Sequence, residues 1–180
     1  MPSEQHRKAA ILSGMRILVI DDSANARRLL KSLLMAFGVG GDEVIMVGDA
    51  PSGLELLHTI EPDLIICDWN MQPMDGIQFL RTLRLRDTPG ACTPTIMLTA
   101  HTNPELVKAA MEAGANHFVA KPVVPANLLK RIQWVRADKR VYLLEGDHYV
   151  LKDPGGIAPP PPNGPSRRAG AGQGESIWEV

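Results

Sequence analysis

From Arg16 onward, short apolar runs alternate with longer segments of helical period, and that alternation confines the chain to a parallel sheet wrapped by helices. Strands of such a sheet are covered on both faces, so they read as unbroken apolar runs. Arg16 to Ile20 is the first run, followed by a helix from about Ala24 to Phe37 whose Leu29, Leu30, Leu33 and Leu34 form an apolar stripe ending at Gly38. Val44 to Val47 is the second strand, with a helix from Pro51 to Ile60 that Pro62 closes. Leu64 to Cys67 pairs with a helix over Ile77 to Leu85, and Thr95 to Leu98 with one that Pro104 opens and Gly114 ends. His117 to Ala120 and a helix from Pro125 to Val135, with Leu128, Ile132 and Val135 facing inward, complete five pairs. The expected fold class is α/β: a five-stranded, parallel, doubly wound sheet over residues 15–137.

The flanks have a different character. Residues 1–14 carry charges of both signs, and their apolar part, Ala9 to Leu12, is too brief for a signal peptide, so a flexible leader is expected. Over 138–153, Val141 to Leu144 and Tyr149 to Leu151 flank Glu145, Gly146 and Asp147, which reads as a short hairpin, marginal if isolated. From Pro154 to Pro165 six of twelve residues are proline, the composition of a stiff polyproline II spacer. The glycine-rich stretch beyond it has too little apolar content to fold alone, so 154–180 is expected to be a mostly disordered tail.

Composition removes several classes of function. With 44% hydrophobic and 22% charged residues the chain is not disordered throughout. A formal charge of -1 leaves no general basic field for a nucleic-acid backbone, and too little chain follows the fifth helix for a helix-turn-helix, so no DNA output is expected. No apolar run approaches the roughly 20 residues that span a bilayer. Cys67 and Cys92 have neither disulfide nor zinc spacing, which suits a reducing, cytoplasmic compartment. His101, His117 and His148 also lack metal-ligand spacing.

Ligands of open parallel sheets sit at the carboxyl ends of the strands, and there the chain places Asp21 and Asp22, Asp68, Thr99 and Lys121. Singly, each has an ordinary structural role as a cap, a turn residue or a surface lysine. Together, three carboxylates at one sheet edge repel one another unless a hard divalent cation with oxygen ligands joins them, and Mg2+ is the obvious choice. Asp22 and Asp68 could supply ligand oxygens, Asp21 could hold a coordinated water, and the backbone carbonyl of Asn70 could complete the set. Such a site suits phosphoryl transfer onto Asp68, with Lys121 neutralising phosphoryl oxygens and Thr99 hydrogen-bonding the product. An Asp-nucleophile phosphohydrolase uses a similar edge, but needs a second carboxylate two residues after the nucleophile, where this chain has Asn70.

Asp21-Asp22, the segment from Asp68 to Gly76, Thr99-Ala100 and Lys121-Pro122 resemble a receiver domain of two-component response regulators, over about Arg16 to Arg136. The resemblance implies a flavodoxin-like (βα)5 receiver fold and a CheY-like, single-domain regulator rather than an enzyme. It implies that Asp68 takes phosphate from a histidine kinase or phosphotransfer protein with Mg2+ bound, and that Thr99 and Lys121 sense the phosphoryl group. It further implies a cis Lys121-Pro122 bond, Phe118 as an aromatic switch that turns inward as the threonine moves toward phosphate, and output through the face of the fourth helix, fifth strand and fifth helix. The Met-Pro pair common after the acceptor is split here by Gln72 between Met71 and Pro73. His101 and Asn70 occupy positions that tune dephosphorylation across the family.

The tail carries its own chemistry. Arg167 and Arg168 can present bidentate forks to guanine or phosphate, Trp178 can stack on a purine, and the intervening glycines allow close backbone approach. This composition resembles the C-terminal extensions of CheY-like cyclic di-GMP effectors, which implies a second-messenger ligand and docking at a flagellar motor switch. A solvated tether ending in a partner peptide is the alternative.

Overall fold

A computed structural model describes residues 11–100 and 103–153; the leader through residue 10, His101, Thr102 and the tail from residue 154, with Arg167, Arg168 and Trp178, lie outside the described residues. The five expected strands are β1 (Ile17–Ile20), β2 (Val44–Val47), β3 (Leu64–Asp68), β4 (Thr95–Thr99) and β5 (His117–Ala120). Between and after them run α1 (Ala24–Ala36), α2 (Ala50–Leu56), α3 (Gly76–Leu83), α4 (Pro104–Glu112) and α5 (Pro125–Ala137). The strands form one parallel sheet in the order β2-β1-β3-β4-β5. The order reverses direction between β1 and β3, which opens a crevice at their carboxyl ends.

Successive strand residues point to opposite faces, so each apolar run feeds two cores. Ile17, Val19, Leu64, Ile66, Ile96, Leu98 and Val119 meet α1 and α5 through Leu30, Leu34, Leu128 and Ile132. Leu18, Ile20, Ile65, Cys67, Met97 and Phe118 meet the other three helices through Ala50, Phe79, Leu80, Leu83 and Ala110. Helix α1 begins where the Ser23 hydroxyl accepts from the Ala26 amide, and stops at Gly38, whose φ of 100° is open to glycine at little cost. No helix among the described residues is long and apolar enough to cross a membrane.

Three local expectations are corrected. Leu29 is 52% exposed while Leu30 and Leu34 are buried. The four leucines span roughly 140° of helix surface at 100° per residue, and Leu29 lies at the rim opposite buried Leu34. Helix α2 ends at Leu56 rather than Ile60, with a turn over Leu57 to Thr59. Residues 11–14 are not a flexible leader: Leu12 is fully buried in the core that α1 and α5 form on the sheet, its amide donates to the Phe37 carbonyl at 3.1 Å, and Arg136 Nη1 donates to the Ile11 carbonyl at 2.7 Å. An apolar side chain closes the end of that core, which a polar leader would leave wet.

The extension folds as the antiparallel hairpin β6 (Val141–Glu145) and β7 (His148–Lys152). It is not isolated. The Tyr149 amide donates to the Arg84 carbonyl at 2.7 Å and the Arg86 amide to the Asp147 carbonyl at 2.9 Å, beside a bridge between Leu85 and His148. Beneath it lies Arg84, 1% exposed, whose guanidinium also stacks 4.3 Å from the centre of the Tyr142 ring. These contacts give a two-stranded ribbon the support it needs.

His117 opens β5 with its ring edge-on to Trp134, centroids 5.7 Å apart, so Trp134, half-buried, joins the packing of α5 on the sheet. Burial pushes the imidazole pKa down to about 4, with Arg131 of α5 and Arg140 adding to the shift and Asp138 opposing it. The folded value lies below the unfolded one near 6.5, so between these two pH values the unfolded chain binds the extra proton. Stability contributed by neutral His117 is therefore complete above about pH 6.5, is lost as pH falls, and levels off below about pH 4, a swing of up to about 3 kcal/mol. His117→Phe keeps the ring contact without the titration. Urea unfolding at a series of pH values is expected to show a flatter acid limb for that variant; equal slopes would rule His117 out as the source.

Candidate functional site

The carboxyl ends of β1, β3, β4 and β5 meet in the crevice, and each contributes by its strand register. Asp21 follows Ile20 and is fully buried, its Oδ1 accepting from the Ser23 amide at 2.9 Å. Asp68 is the last residue of β3, beside Leu98, and Thr99 the last of β4, beside Ala120; both are buried. Asp22 is exposed at the mouth, and one carboxylate oxygen each of Asp21, Asp22 and Asp68 lies within 4.8 Å of the others.

Lys121 reaches into this cluster from the end of β5. Its Nζ donates to Asp21 Oδ2 at 2.9 Å and sits 2.8 Å from Asp68 Oδ1. The peptide bond to Pro122 is cis, and the Lys121 amide donates to the Thr99 carbonyl at 2.7 Å, which joins the two strand ends. Burial disfavours the charge on Lys121, but its hydrogen bonds to Asp68 and Asp21 outweigh that and hold its pKa above the ordinary value. Burial raises the Asp68 pKa, opposed by Lys121 and reinforced by the Asp21 charge. Asp68 is thus a carboxylate held among like charges with one ammonium against it. Cys67, buried on the other core, is driven well above the ordinary thiol pKa by burial first and Asp68 second, and serves as a small apolar group.

The loop after Asp68 is fixed from below. Met71 is buried, Asn70 is exposed, and Gln72-Pro73 is cis. Asp75 starts α3 with a reciprocal capping box to Gln78. A methyl group on Gly76 would meet Met97 Cε and come within 2.6 Å of the Asp68 carbonyl oxygen, so glycine is required for the loop to fold back against the end of β3. Phe118 packs inward in the second core, its ring centroid 6.0 Å from that of His117.

Sequence reasoning did not single out Arg27. Its Nη1 donates to the Asp21 carbonyl at 2.6 Å and the Asp22 carbonyl at 3.2 Å, so it ties the acidic pair to α1 and spends its charge on main-chain oxygens. An arginine five residues past an acidic pair at a strand end is a weak signal without the turn geometry. His101 and the tail residues Arg167, Arg168 and Trp178 fall outside the described residues.

The chemistry of the donor set fits a divalent cation: three clustered carboxylates, all oxygen, against the single ammonium of Lys121. Chemotaxis protein CheY-3 of Vibrio cholerae is 31% identical over 125 residues, covering 69% of this chain and 94% of CheY-3. The sensory/regulatory protein RpfC of Xanthomonas campestris is 37% identical over 129 residues, and the chain spans 17% of its length. Among solved structures, V. cholerae CheY4 superposes with a TM-score of 0.62 at 32% identity, over 68% of this chain and 99% of CheY4. The receiver domain of the sensor histidine kinase PA1611 of Pseudomonas aeruginosa, which holds a magnesium ion in its active-site cleft, gives 0.62 at 25% identity, over 70% and 100%. Residues 17–133 match the response regulator receiver domain, and the chain therefore belongs to that family, with a CheY-like receiver at its centre.

Proposed function

We propose that this receiver is switched by phosphorylation of Asp68 and that its tail takes cyclic di-GMP, so that two signals meet on one chain at a flagellar motor switch or another signalling partner. The observation that carries the first half is the convergence of Asp21, Asp22 and Asp68 with Lys121 on two of the three. Asp22, Asp68, a water on Asp21 and the Asn70 carbonyl would hold Mg2+. Bound there, the ion would draw charge from the phosphoryl oxygens and screen Asp68 from its neighbours.

An Asp68 carboxylate oxygen attacks the phosphorus of a phosphohistidine on a histidine kinase or phosphotransfer protein. The O–P bond forms as the N–P bond breaks, and the imidazole leaves with the electron pair. Lys121 stays within reach of the new phosphoryl group, and the Thr99 hydroxyl at the end of β4 is the group that senses it. Motion of Thr99 is transmitted to Phe118, which is already turned inward, and from there to the α4, β5 and α5 face.

Support for the tail's role is chemical: two adjacent guanidinium forks, an indole able to stack and several glycines in Arg167 to Val180. Calorimetric titration of cyclic di-GMP into the full chain, with GTP as control, tests it. Binding that Arg167→Ala with Arg168→Ala weakens by about 100-fold is the expected result. No heat with the full chain leaves the tail as a tether, while phosphate incorporation from a small acyl phosphate, measured separately, reports on Asp68 alone.

A further inference from the structure

We propose that two copies of this chain join along the outer edge of β6, in antiparallel register, with the two-fold axis at Leu143.

The hairpin register shows which peptide groups point outward. Leu144 lies opposite Tyr149, and Tyr142 opposite Leu151. The Tyr149 amide is spent on the Arg84 carbonyl, away from β6, so Leu144–Tyr149 is a pair that does not exchange ladder bonds. By alternation Tyr142–Leu151 is another. The amide and carbonyl of Tyr142 and of Leu144 therefore face away from β7, and among the described residues none of the four groups meets a backbone partner. The outer edge of β7 is covered by Arg84 to Arg86, whereas no described residue covers that of β6.

Among the described residues, little guards this edge. Val141, Tyr142, Leu143, Leu144 and Glu145 contain no lysine, proline or bulge, the usual protections of an exposed strand. Three of the seven exposed large apolar side chains among the described residues lie here: Val141 at 45%, Leu143 at 50% and Leu144 at 40%. Such clustering in one short strand marks an interface rather than scattered surface residues.

A second copy is the occupant the sequence of the strand favours. Antiparallel pairing about Leu143 sets Tyr142 against the other copy's Leu144, and Leu144 against its Tyr142. Each of these two pairs exchanges two backbone bonds, which satisfies all four outward groups on each strand. On the solvent face the row through the axis becomes Val150, Leu143 and then their two equivalents, all apolar. The flanking rows set Glu145 of one copy beside Val141 of the other, in line with that copy's Lys152, so opposite charges approach and no like charges face. Isologous closure uses both edges and leaves no open array. The contact is small, which places dissociation on the order of 10–100 μM.

Sedimentation equilibrium of the full chain tests this. A concentration-dependent dimer is expected, and Leu143→Lys or Leu143→Glu should each weaken it about 100-fold, because like charges then meet at the axis. Leu143 is half-exposed, so neither change disturbs a core. An equimolar mixture of the two variants should recover the dimer, since lysine then faces glutamate. A chain that stays monomeric well above that concentration range overturns the proposal. So does a dimer indifferent to both substitutions, and so do monomeric variants that fail to recover when mixed.

Discussion

Asp68→Asn is expected to incorporate no phosphate from a small acyl phosphate with Mg2+, while folding at least as stably as the unaltered chain. Both halves follow from the same geometry. The amide keeps the shape of the carboxylate but lacks the anionic oxygen that would attack phosphorus, and the other carboxylate on Lys121, Asp21, is fully buried. Asp68 is buried beside fully buried Asp21 and the exposed Asp22, so removing its charge relieves repulsion. Lys121 keeps Asp21 as its partner at 2.9 Å. The unfolding free energy should therefore equal the original or exceed it by about 1 kcal/mol. Mass spectrometry of the chain after incubation, with and without chelator, reads the first half and urea unfolding the second. Phosphate appearing on another residue would displace Asp68 as acceptor, and a large loss of stability would show that the carboxylate holds the loop rather than strains it.

That contrast explains which parts were legible in the sequence. Strand β1 is Ile-Leu-Val-Ile and β3 opens with Leu-Ile-Ile-Cys, apolar runs between polar stops, a pattern that identifies them and also fixes which residue stands at or just beyond each carboxyl end. Asp21 and Asp68 could be read because a site at strand ends inherits its geometry from the strands. Lys121 is 100 residues from Asp21 in the chain, yet it reaches the same cluster because β5 lies in the same sheet. Other features depend on tertiary contacts that no local pattern encodes. Leu12 looks like part of a polar leader until α1 and α5 are packed and leave a gap for it. Leu29 belongs to the leucine stripe by period, but the helix turns Leu30 and Leu34 inward and leaves Leu29 at the outer rim. Most hidden was Arg84, which no sequence pattern singles out, since arginines at helix ends normally face solvent.

Arg84→Met should cost about 3 kcal/mol and release the hairpin from the receiver. The guanidinium meets no carboxylate among the described residues within ion-pair distance; main-chain and hydroxyl oxygens surround it. Nε and Nη2 donate to the Gly114 carbonyl at 3.1 and 2.8 Å, and Nη1 to the carbonyls of Ala91 and Thr93 at 2.7 and 3.0 Å. Nη2 also donates to Thr95 Oγ1 at 3.2 Å and to the Tyr142 hydroxyl at 2.6 Å. Burial lowers the pKa of Arg84, while the same burial pushes that of Tyr142 up to about 12 and keeps its hydroxyl a donor to Asn116 Oδ1 at 2.6 Å. Asn116 Oδ1 accepts in turn from the Thr95 amide, so the hairpin is joined through one polar network to the amino-terminal end of β4. Methionine fills the space but leaves the Ala91 carbonyl without that donor, and lysine, with one ammonium, cannot serve Gly114, Ala91 and Tyr142 together. Urea unfolding should show the loss for Arg84→Met and Arg84→Lys alike, and amide exchange over Val141 to Lys152 should quicken by about 100-fold as the ribbon undocks. Full protection of those amides in Arg84→Met would mean that the backbone bonds of Arg84 and Arg86 hold the hairpin without the side chain.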